Sequence, residues 1–384
     1  MNTWRFEAMD TWFFRESRPH GSVGGSELGS VFPPPVRTLA GAVRTAIGDC
    51  ASVNWSDWAE GTSPDIRDVI GIGSGMGKIT LRGPFLWQND RRIYPWPLNL
   101  LQRHGQNGGK SEFARLQVGS PLHTHLGRVR VPMLAGQSAG FKVPESTWIV
   151  KTGLEAVLAG AMPASDQIVS EKELYAEEVR LGIALKNRER TVDDGRLYQT
   201  RHIRLRAGVF VDLDVDGIDE LCESIFRRPK VLRLGGEGRM AGVSIHAADA
   251  GLPDAPTPQA TDRGVILVLL TPAALNENSW LPGKFTEEVD NGVSTWRGHI
   301  NGIEMRIHAA VIGKSHREGG WDMAAREPRA VQSLVPAGSL WYCTMVNSDL
   351  RAAYSLHGAQ IGGETELGRG LIAVGRWPAQ EFNE

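Results

Sequence analysis

The chain is 384 residues long, with 42 basic against 44 acidic side chains, 41% apolar residues and a formal net charge of −2. That length predicts two or three domains with ample core, and the near-neutral balance excludes a protein that coats nucleic acid by bulk electrostatics, so any such contact has to come from local patches. Cys50, Cys222 and Cys343 stand far apart, which excludes a disulfide framework and a cysteine-rich zinc site and predicts a reducing cytoplasm; no apolar run approaches the ~18–20 residues of a membrane helix, and nothing in the first ten residues reads as a signal peptide.

Residues 4–8 read as a first strand. Pro33, Pro34 and Pro35 then set the backbone ahead of a helix, in which Leu39, Ala42, Val43, Ala46 and Ile47 recur at i, i+3, i+4, i+7 and i+8. Arg37, Gly41, Arg44 and Gly48 fall on the opposite face. Two arginines flanking a turn without side chains let a polyanion backbone approach closely, and a solvated helix face has the same pattern. Residues 70–176 are rich in loops and read as short strands with insertions. Residues 179–185 and 197–205 form the two strands of a hairpin. From Lys186 to Arg206 seven cations (Lys186, Arg188, Arg190, Arg196, Arg201, Arg204, Arg206) stand against three acids (Glu189, Asp193, Asp194), which suits an RNA-contacting finger or a solvated tip.

Val209, Val211, Leu213 and Val215 alternate as a strand, and Ile218, Leu221, Cys222, Ile225 and Phe226 return to helical spacing before Pro229. A glycine turn at Gly235, Gly236, Glu237, Gly238 and Arg239 leads into a strand at 243–246. Its bare amides and the Arg239 charge form a candidate anion nest, or simply a tight turn. Residues 247–263, with three prolines and no apolar periodicity, read as a linker between domains at 1–250 and 262–384. Beyond it lie an apolar strand at 265–271, an alternating one at 303–311, and further strands at 339–346 and 371–377. Each half closes on a glycine-rich loop feeding a last strand, so the predicted fold is α+β, with two ferredoxin-like (RRM-like) domains carrying Gly-rich loops and insertions.

Several motifs fail on context. Asp212, Asp214, Asp216, Gly217 and Glu223 match a calcium-loop spacing, but the first two acids lie on the polar side of a strand rather than after a helix. The glycines from Gly71 to Gly77 before Lys78 lack the phosphate-loop spacing, with Ile72 where glycine is needed and Ile79 where Ser or Thr is needed. Gly236, Gly238 and Ala241 resemble a dinucleotide fingerprint that runs into a strand instead of a helix. His123 and His125 are half of a metal site without a third ligand in register. His20 is the best candidate base for a metal-independent ribonuclease, yet no second catalytic group stands at a defensible spacing. Of the 42 cations nine are lysines, which leaves 33 arginines, the side chain that forks onto phosphate and stacks on bases; an arginine-favouring genome gives the same bias.

Asp10-Thr11-Trp12-Phe13-Phe14-Arg15, then Arg18-Pro19-His20-Gly21, then Val31-Phe32-Pro33-Pro34-Pro35 and Arg37-Thr38-Leu39-Ala40-Gly41-Ala42 resemble the start of the third-subunit family of the type III-B CRISPR (Cmr) effector complex, in the RAMP superfamily. The resemblance continues at Gly195 to Tyr198, Leu234 to Arg239, Gly320 to Asp322, Val335 to Ser339 and Ile361 to Gly370, and so covers both ends and most of the chain. It implies two RRM-like domains, no cofactor and no nuclease activity. It further implies a hetero-oligomer in which the subunit holds the 5′ repeat-derived tag of the CRISPR RNA beside the large polymerase-like subunit and a backbone RAMP subunit. The expected RNA contacts are Arg18, His20, Arg37, Thr38, Arg44, Lys186, Arg188, Arg190, Gly235, Gly236, Arg239 and Trp321, the last as a stacking platform beside Gly320. The alternatives are a RAMP-superfamily endoribonuclease that processes CRISPR RNA through His20, and a structural adaptor without RNA contact.

Overall fold

The computed structural model describes residues 1–16, 26–58, 63–105, 111–136, 139–186, 191–218, 230–247, 251–276, 279–322, 327–347 and 349–378, with the side chains of 26 and 183–197 left aside. The chain folds into two large sheets with few helices, the first antiparallel throughout and the second with one parallel bridge. The first runs in the order Ile168–Ser170, Thr147–Val150, Arg91–Pro95, Thr80–Gln88, Val209–Asp216, Asn2–Ala8, Met240–Ala247, Lys230–Arg233. Its strands Thr80–Gln88, Val209–Asp216, Asn2–Ala8 and Met240–Ala247 are antiparallel neighbours. In chain order they stand second, third, first and fourth, the ferredoxin-like arrangement, and the helix Val36–Cys50 makes the first crossover.

Period-2 alternation divides the two faces of this sheet. Trp4 pairs with Leu213 and Phe6 with Val211, and all four are fully buried under the helix residues Leu39, Val43, Ala46 and Ile47. Burial of each such large side chain contributes ~1.5–3 kcal/mol. On the opposite face Thr3 and Arg5 meet Asp214 and Asp212. Arg5 forks onto Asp212 at 2.8 and 2.9 Å, and Arg92 forks onto Asp214 at 3.0 and 2.8 Å, both ends of the second pair being buried. Burial works against the Arg92 charge, but the Asp214 carboxylate outweighs it and holds the guanidinium above its ordinary pKa.

The second sheet runs Ile372–Pro378, Asp262–Leu269, Leu340–Met345, Ile303–Val311, Val293–Ile300, Gly127–Met133, Gln117–Thr124. Its first four strands are antiparallel and repeat the same chain-order pattern, fourth, first, third, second. The duplication is one of strands rather than of whole units. Where the first half has its long helix, the second has the hairpin Phe285–Asp290 and Val293–Ile300, and its second crossover holds the short helix Leu350–Tyr354 and the single 3-10 turn Thr365–Leu367. A core shared by both halves, including Phe85, Tyr94, Leu154, Val157, Ile266, Val268, Leu340 and Tyr342, fills the space between the sheets. The far face of the second sheet buries Val265, Leu267, Trp341, Cys343, Met305 and Ile307.

The stretch 70–176, read from sequence as loop-rich short strands with insertions, supplies four strands of the first sheet, the helix Lys151–Leu158, and one hairpin that joins the second sheet. That hairpin, Gln117–Thr124 with Gly127–Met133, reaches the second sheet through a parallel bridge from Val129 to Ser294. Thr80–Gln88 was illegible because its Gly83-Pro84 step is foreign to a central strand and its burial, which alternates from Thr80 to Phe85, loses the period at Leu86. The proline-rich connection carries neither helix nor strand over 251–260, and His357 Nε2 donates to the Pro253 carbonyl at 2.6 Å. The hairpin expected at 179–205 is present and longer, Tyr175–Lys186 with Thr191–Leu205, and it carries Ser26–Leu28 in parallel on its outer edge. The helix expected across 218–226 lies, after Ile218, outside the described residues. Among the described residues no helix is long and apolar enough to cross a membrane.

Candidate nucleic-acid interface

The outer face of the helix Val36–Cys50 carries three of the expected contacts. Arg37 sits in the first turn and forms ion pairs with Glu364 and, at 3.8 Å, with Glu318, so its charge is largely answered within the chain. Thr38, next along, is half-buried, with its amide bonded to the Pro35 carbonyl at 2.9 Å. Arg44 differs. Its two terminal nitrogens donate to the backbone carbonyls of Gly73 and Gly71, each at 2.9 Å, and no carboxylate of the described residues pairs with it. Burial, and then the nearby Arg329 cation, hold the Arg44 guanidinium below its ordinary pKa. The glycines that failed as a phosphate loop thus have a plain role: Gly71 and Gly77 take positive φ so that the turn can fold onto itself under Arg44.

Between Arg37 and Arg44, Gly41 is exposed, and a Cβ there would meet nothing within 4 Å. Glycine inside a helix costs about 0.5–1 kcal/mol relative to alanine, and no packing among the described residues requires it at Gly41. Gly48, on the same face, is required: its Cβ would strike the Trp55 ring. Trp321, more often a core residue by type, is 56% exposed. It lies on a two-residue strand paired with Glu327–Pro328, beside Asp322, whose carboxylate pairs with Arg329 at 2.7 Å. Arg329 was missed by sequence reasoning; its link to the Arg44 helix spans nearly the whole chain.

A second basic cluster forms where the glycine turn meets the hairpin. Asp10 accepts from Arg180 at 2.8 Å, Arg204 at 2.9 Å and Arg239 at 3.1 Å, and Glu178 pairs with the first two at 2.7 and 2.6 Å. Three cations therefore share two carboxylates. Hydrogen bonds from Arg180 and Arg204 hold Asp10 below the ordinary carboxylate range, and the same pair, Arg204 first, lowers Glu178. Beneath them His202 is buried, stacked on Phe13 with ring centroids 5.1 Å apart and bonded to Thr11 and Thr200. Burial, then the Arg239 and Arg180 charges, push its pKa down to about 4. Arg180 was not singled out from sequence, and Asp10 only as the first residue of the N-terminal motif. Strand parity does carry the signal, since Glu178 and Arg180 share a face with His202 and Arg204 across the ladder.

The glycine turn is built against this cluster. Gly235 has φ +88°, and its neighbour Gly236 donates its amide to the Phe13 carbonyl at 2.8 Å, while Leu234 and Arg239 close the turn at 2.9 Å. The Gly236 amide is thus engaged inside the chain, and the turn serves chiefly to seat Arg239. Lys186 has its backbone on the hairpin strand, with its side chain outside the described set; Arg18, His20, Arg188 and Arg190 lie outside the described residues altogether. The calcium-like acids are occupied, Asp212 by Arg5, Asp214 by Arg92 and Thr3, and Asp216 by the terminal amine at 3.1 Å. Among the described residues no group of three or more His, Cys, Asp and Glu could hold a metal ion, and His123 and His125 are both exposed.

A family model described as CRISPR-associated protein (Cas_Cmr3) matches residues 4–377. The chain belongs to that family. This is the family to which the N-terminal motif and the glycine loops pointed. No curated protein matches this Cas_Cmr3 member. Among solved structures, a chain from a cryo-EM structure of the type III-B Cmr-beta complex bound to cognate target RNA is 14% identical, covers 96% of each chain and gives a TM-score of 0.50, a likeness of fold. A chain from the Cmr-beta structure bound to cognate target RNA and AMPPnP is 14% identical, with 88% and 86% coverage and a TM-score of 0.48. A chain from the Csm3-Csm4 subcomplex of a type III-A CRISPR-Cas interference complex is 10% identical, with 90% and 94% coverage and a TM-score of 0.40.

Proposed function

We propose that this Cas_Cmr3 protein is a non-catalytic subunit of a cytoplasmic type III-B CRISPR RNA-guided effector in antiviral defence. In this reading it binds the 5′ repeat-derived tag of the CRISPR RNA and docks the large polymerase-like subunit to a backbone RAMP subunit. The twinned strand order is read as two RRM-like domains, 1–250 and 262–384, sharing the central core. The observation that carries the RNA reading is Arg44: a helix cation bonded to carbonyls instead of carboxylates, next to a second cation and one turn from the exposed Gly41. A charge without a carboxylate partner among the described residues, one turn from a glycine with open space over its Cα, suits a phosphodiester backbone approaching closely. Arg239, with Arg180 and Arg204, offers a second foothold of surplus charge, and the exposed Trp321 ring offers a surface for one splayed base.

The test is an assembled complex loaded with tagged or untagged guide RNA. Photo-crosslinks from tag nucleotides are expected at Arg44 and Arg239, and tag-dependent binding is expected to weaken in Arg44→Ala. Equal affinity for tagged and untagged guides overturns the tag reading. Metal-independent cleavage of repeat RNA by the purified chain, lost in His20→Ala, overturns the non-catalytic one.

A further inference from the structure

A cavity of ≈ 240 Å³ opens where the end of the helix Lys151–Leu158 meets the outer strand of the second sheet, and none of the described residues assigned to RNA above lines it. Asn99, Arg115, Met162, Tyr342 and Trp377 line it. A single water needs ~10–15 Å³ of such space, so the cavity takes something much larger.

Two of its polar groups lack the partner their chemistry calls for. Asn99 is 1% exposed, and its buried Oδ1 has no hydrogen-bond partner among the described residues. Its orientation is fixed by the neighbouring phenol. Tyr342 donates its hydroxyl proton to the Leu116 carbonyl at 2.6 Å, so the 3.4 Å contact to Asn99 has the amide nitrogen as donor and leaves the carbonyl oxygen without one. Arg115 donates to the Ala161 carbonyl and has no carboxylate partner among the described residues, and burial lowers its pKa. The other cation of the wall, Arg376, is already forked onto Asp262 at 2.9–3.1 Å. The remaining wall is aromatic, with Tyr342 and Trp377 packed edge to face at 5.4 Å.

A buried carbonyl and a half-sunk guanidinium, neither with its natural partner among the described residues, beside two aromatic rings set edge to face, together describe one ligand class. We propose that this cavity is a mononucleotide site. Arg115 takes the phosphate, Asn99 Oδ1 accepts from an N–H of the base, and the base lies along the Tyr342–Trp377 wall.

The experiment is calorimetric titration of the full chain with AMP, GMP, CMP and UMP, with adenosine, inorganic phosphate and glutamate as separate arms. At least one nucleotide is expected to bind one to one and to lose about tenfold or more in affinity in Arg115→Gln, with part of the loss restored in Arg115→Lys. Asn99→Ala, checked for an unchanged thermal transition, is expected to weaken the same nucleotide while leaving phosphate unaffected. Arg44→Ala is expected to bind it normally, which keeps this site distinct from the RNA face whether or not the tag reading stands. Failure of all four nucleotides at millimolar concentration, tighter binding of glutamate, or binding undiminished by Arg115→Gln overturns the proposal.

Discussion

Gly41 and Gly48 sit two turns apart on one face of the same helix, and alanine at each is expected to act with opposite sign. At Gly41 the new methyl meets nothing, so the substitution gains the helix propensity of alanine over glycine, about 0.5–1 kcal/mol. At Gly48 the same methyl strikes the Trp55 ring. That ring is held by its Nε1, which donates to Asp49 at 2.6 Å, and by Trp58, whose centroid lies 5.3 Å away. Overpacking of this kind costs ~1–3 kcal/mol, which exceeds or cancels the propensity gain and leaves a net loss of up to about 2 kcal/mol. Urea unfolding at constant slope reads both: the midpoint rises for Gly41→Ala and falls for Gly48→Ala. The RNA reading adds a second sign. In the assembled complex Gly41→Ala is expected to weaken tagged guide RNA even as the free chain becomes more stable. A destabilised Gly41→Ala chain, or the same midpoint for both variants, refutes the packing argument; a stabilised Gly41→Ala chain with unaltered RNA affinity refutes the close-approach argument.

Asp214→Asn removes one end of a buried ion pair and leaves Arg92 charged in the interior, so a loss of about 3–5 kcal/mol is expected in urea unfolding, while Arg92→Met with Asp214→Leu is expected to recover most of it. Arg44→Ala is expected to flatten the plot of log affinity for single-stranded RNA against log salt by about 0.7, the share of one phosphate contact. Asp10→Asn releases three arginines from a shared carboxylate, and is expected to tighten non-specific RNA binding at low salt with little effect on the thermal transition. His202 is buried neutral with its pKa at about 4 against an ordinary 6.5, so the unfolded chain binds the extra proton between those values. Its contribution is present above pH 6.5 and is lost as the pH falls toward 4; the unfolding midpoint therefore drops across that window, less steeply in His202→Gln, and an imidazole resonance titrating near 6.5 contradicts this.

What sequence made legible was local. The helix Val36–Cys50 announced itself by its apolar stripe and proline run, and Val209–Asp216 by strict alternation. Strands such as Thr80–Gln88 were hidden because a Gly-Pro step interrupts the run and the buried neighbours Phe85 and Leu86 break the period on which such reading depends. At the candidate site, Arg44 and Arg239 stood out by their glycine neighbours. Their surroundings did not: the carbonyls held by Arg44 lie 27 and 29 residues away, and the carboxylate under Arg239 lies 229 residues away. Trp321 was ambiguous because composition cannot tell a buried indole from an exposed one. The cavity at Asn99 and Arg115 left no mark in the sequence, since its walls come from six separated segments.

The ribbon Gln117–Met133 is made early and finds its place late. Its landing strand, Val293–Ile300, leaves the ribosome roughly 160 residues afterwards, a wait of about 10–30 s at ordinary rates of synthesis. During that interval the ribbon hangs from a nearly finished first half with an open edge, inviting adhesion to other nascent chains. A gene split at the proline-rich connection would make that delay permanent, so the halves are better co-expressed than produced alone.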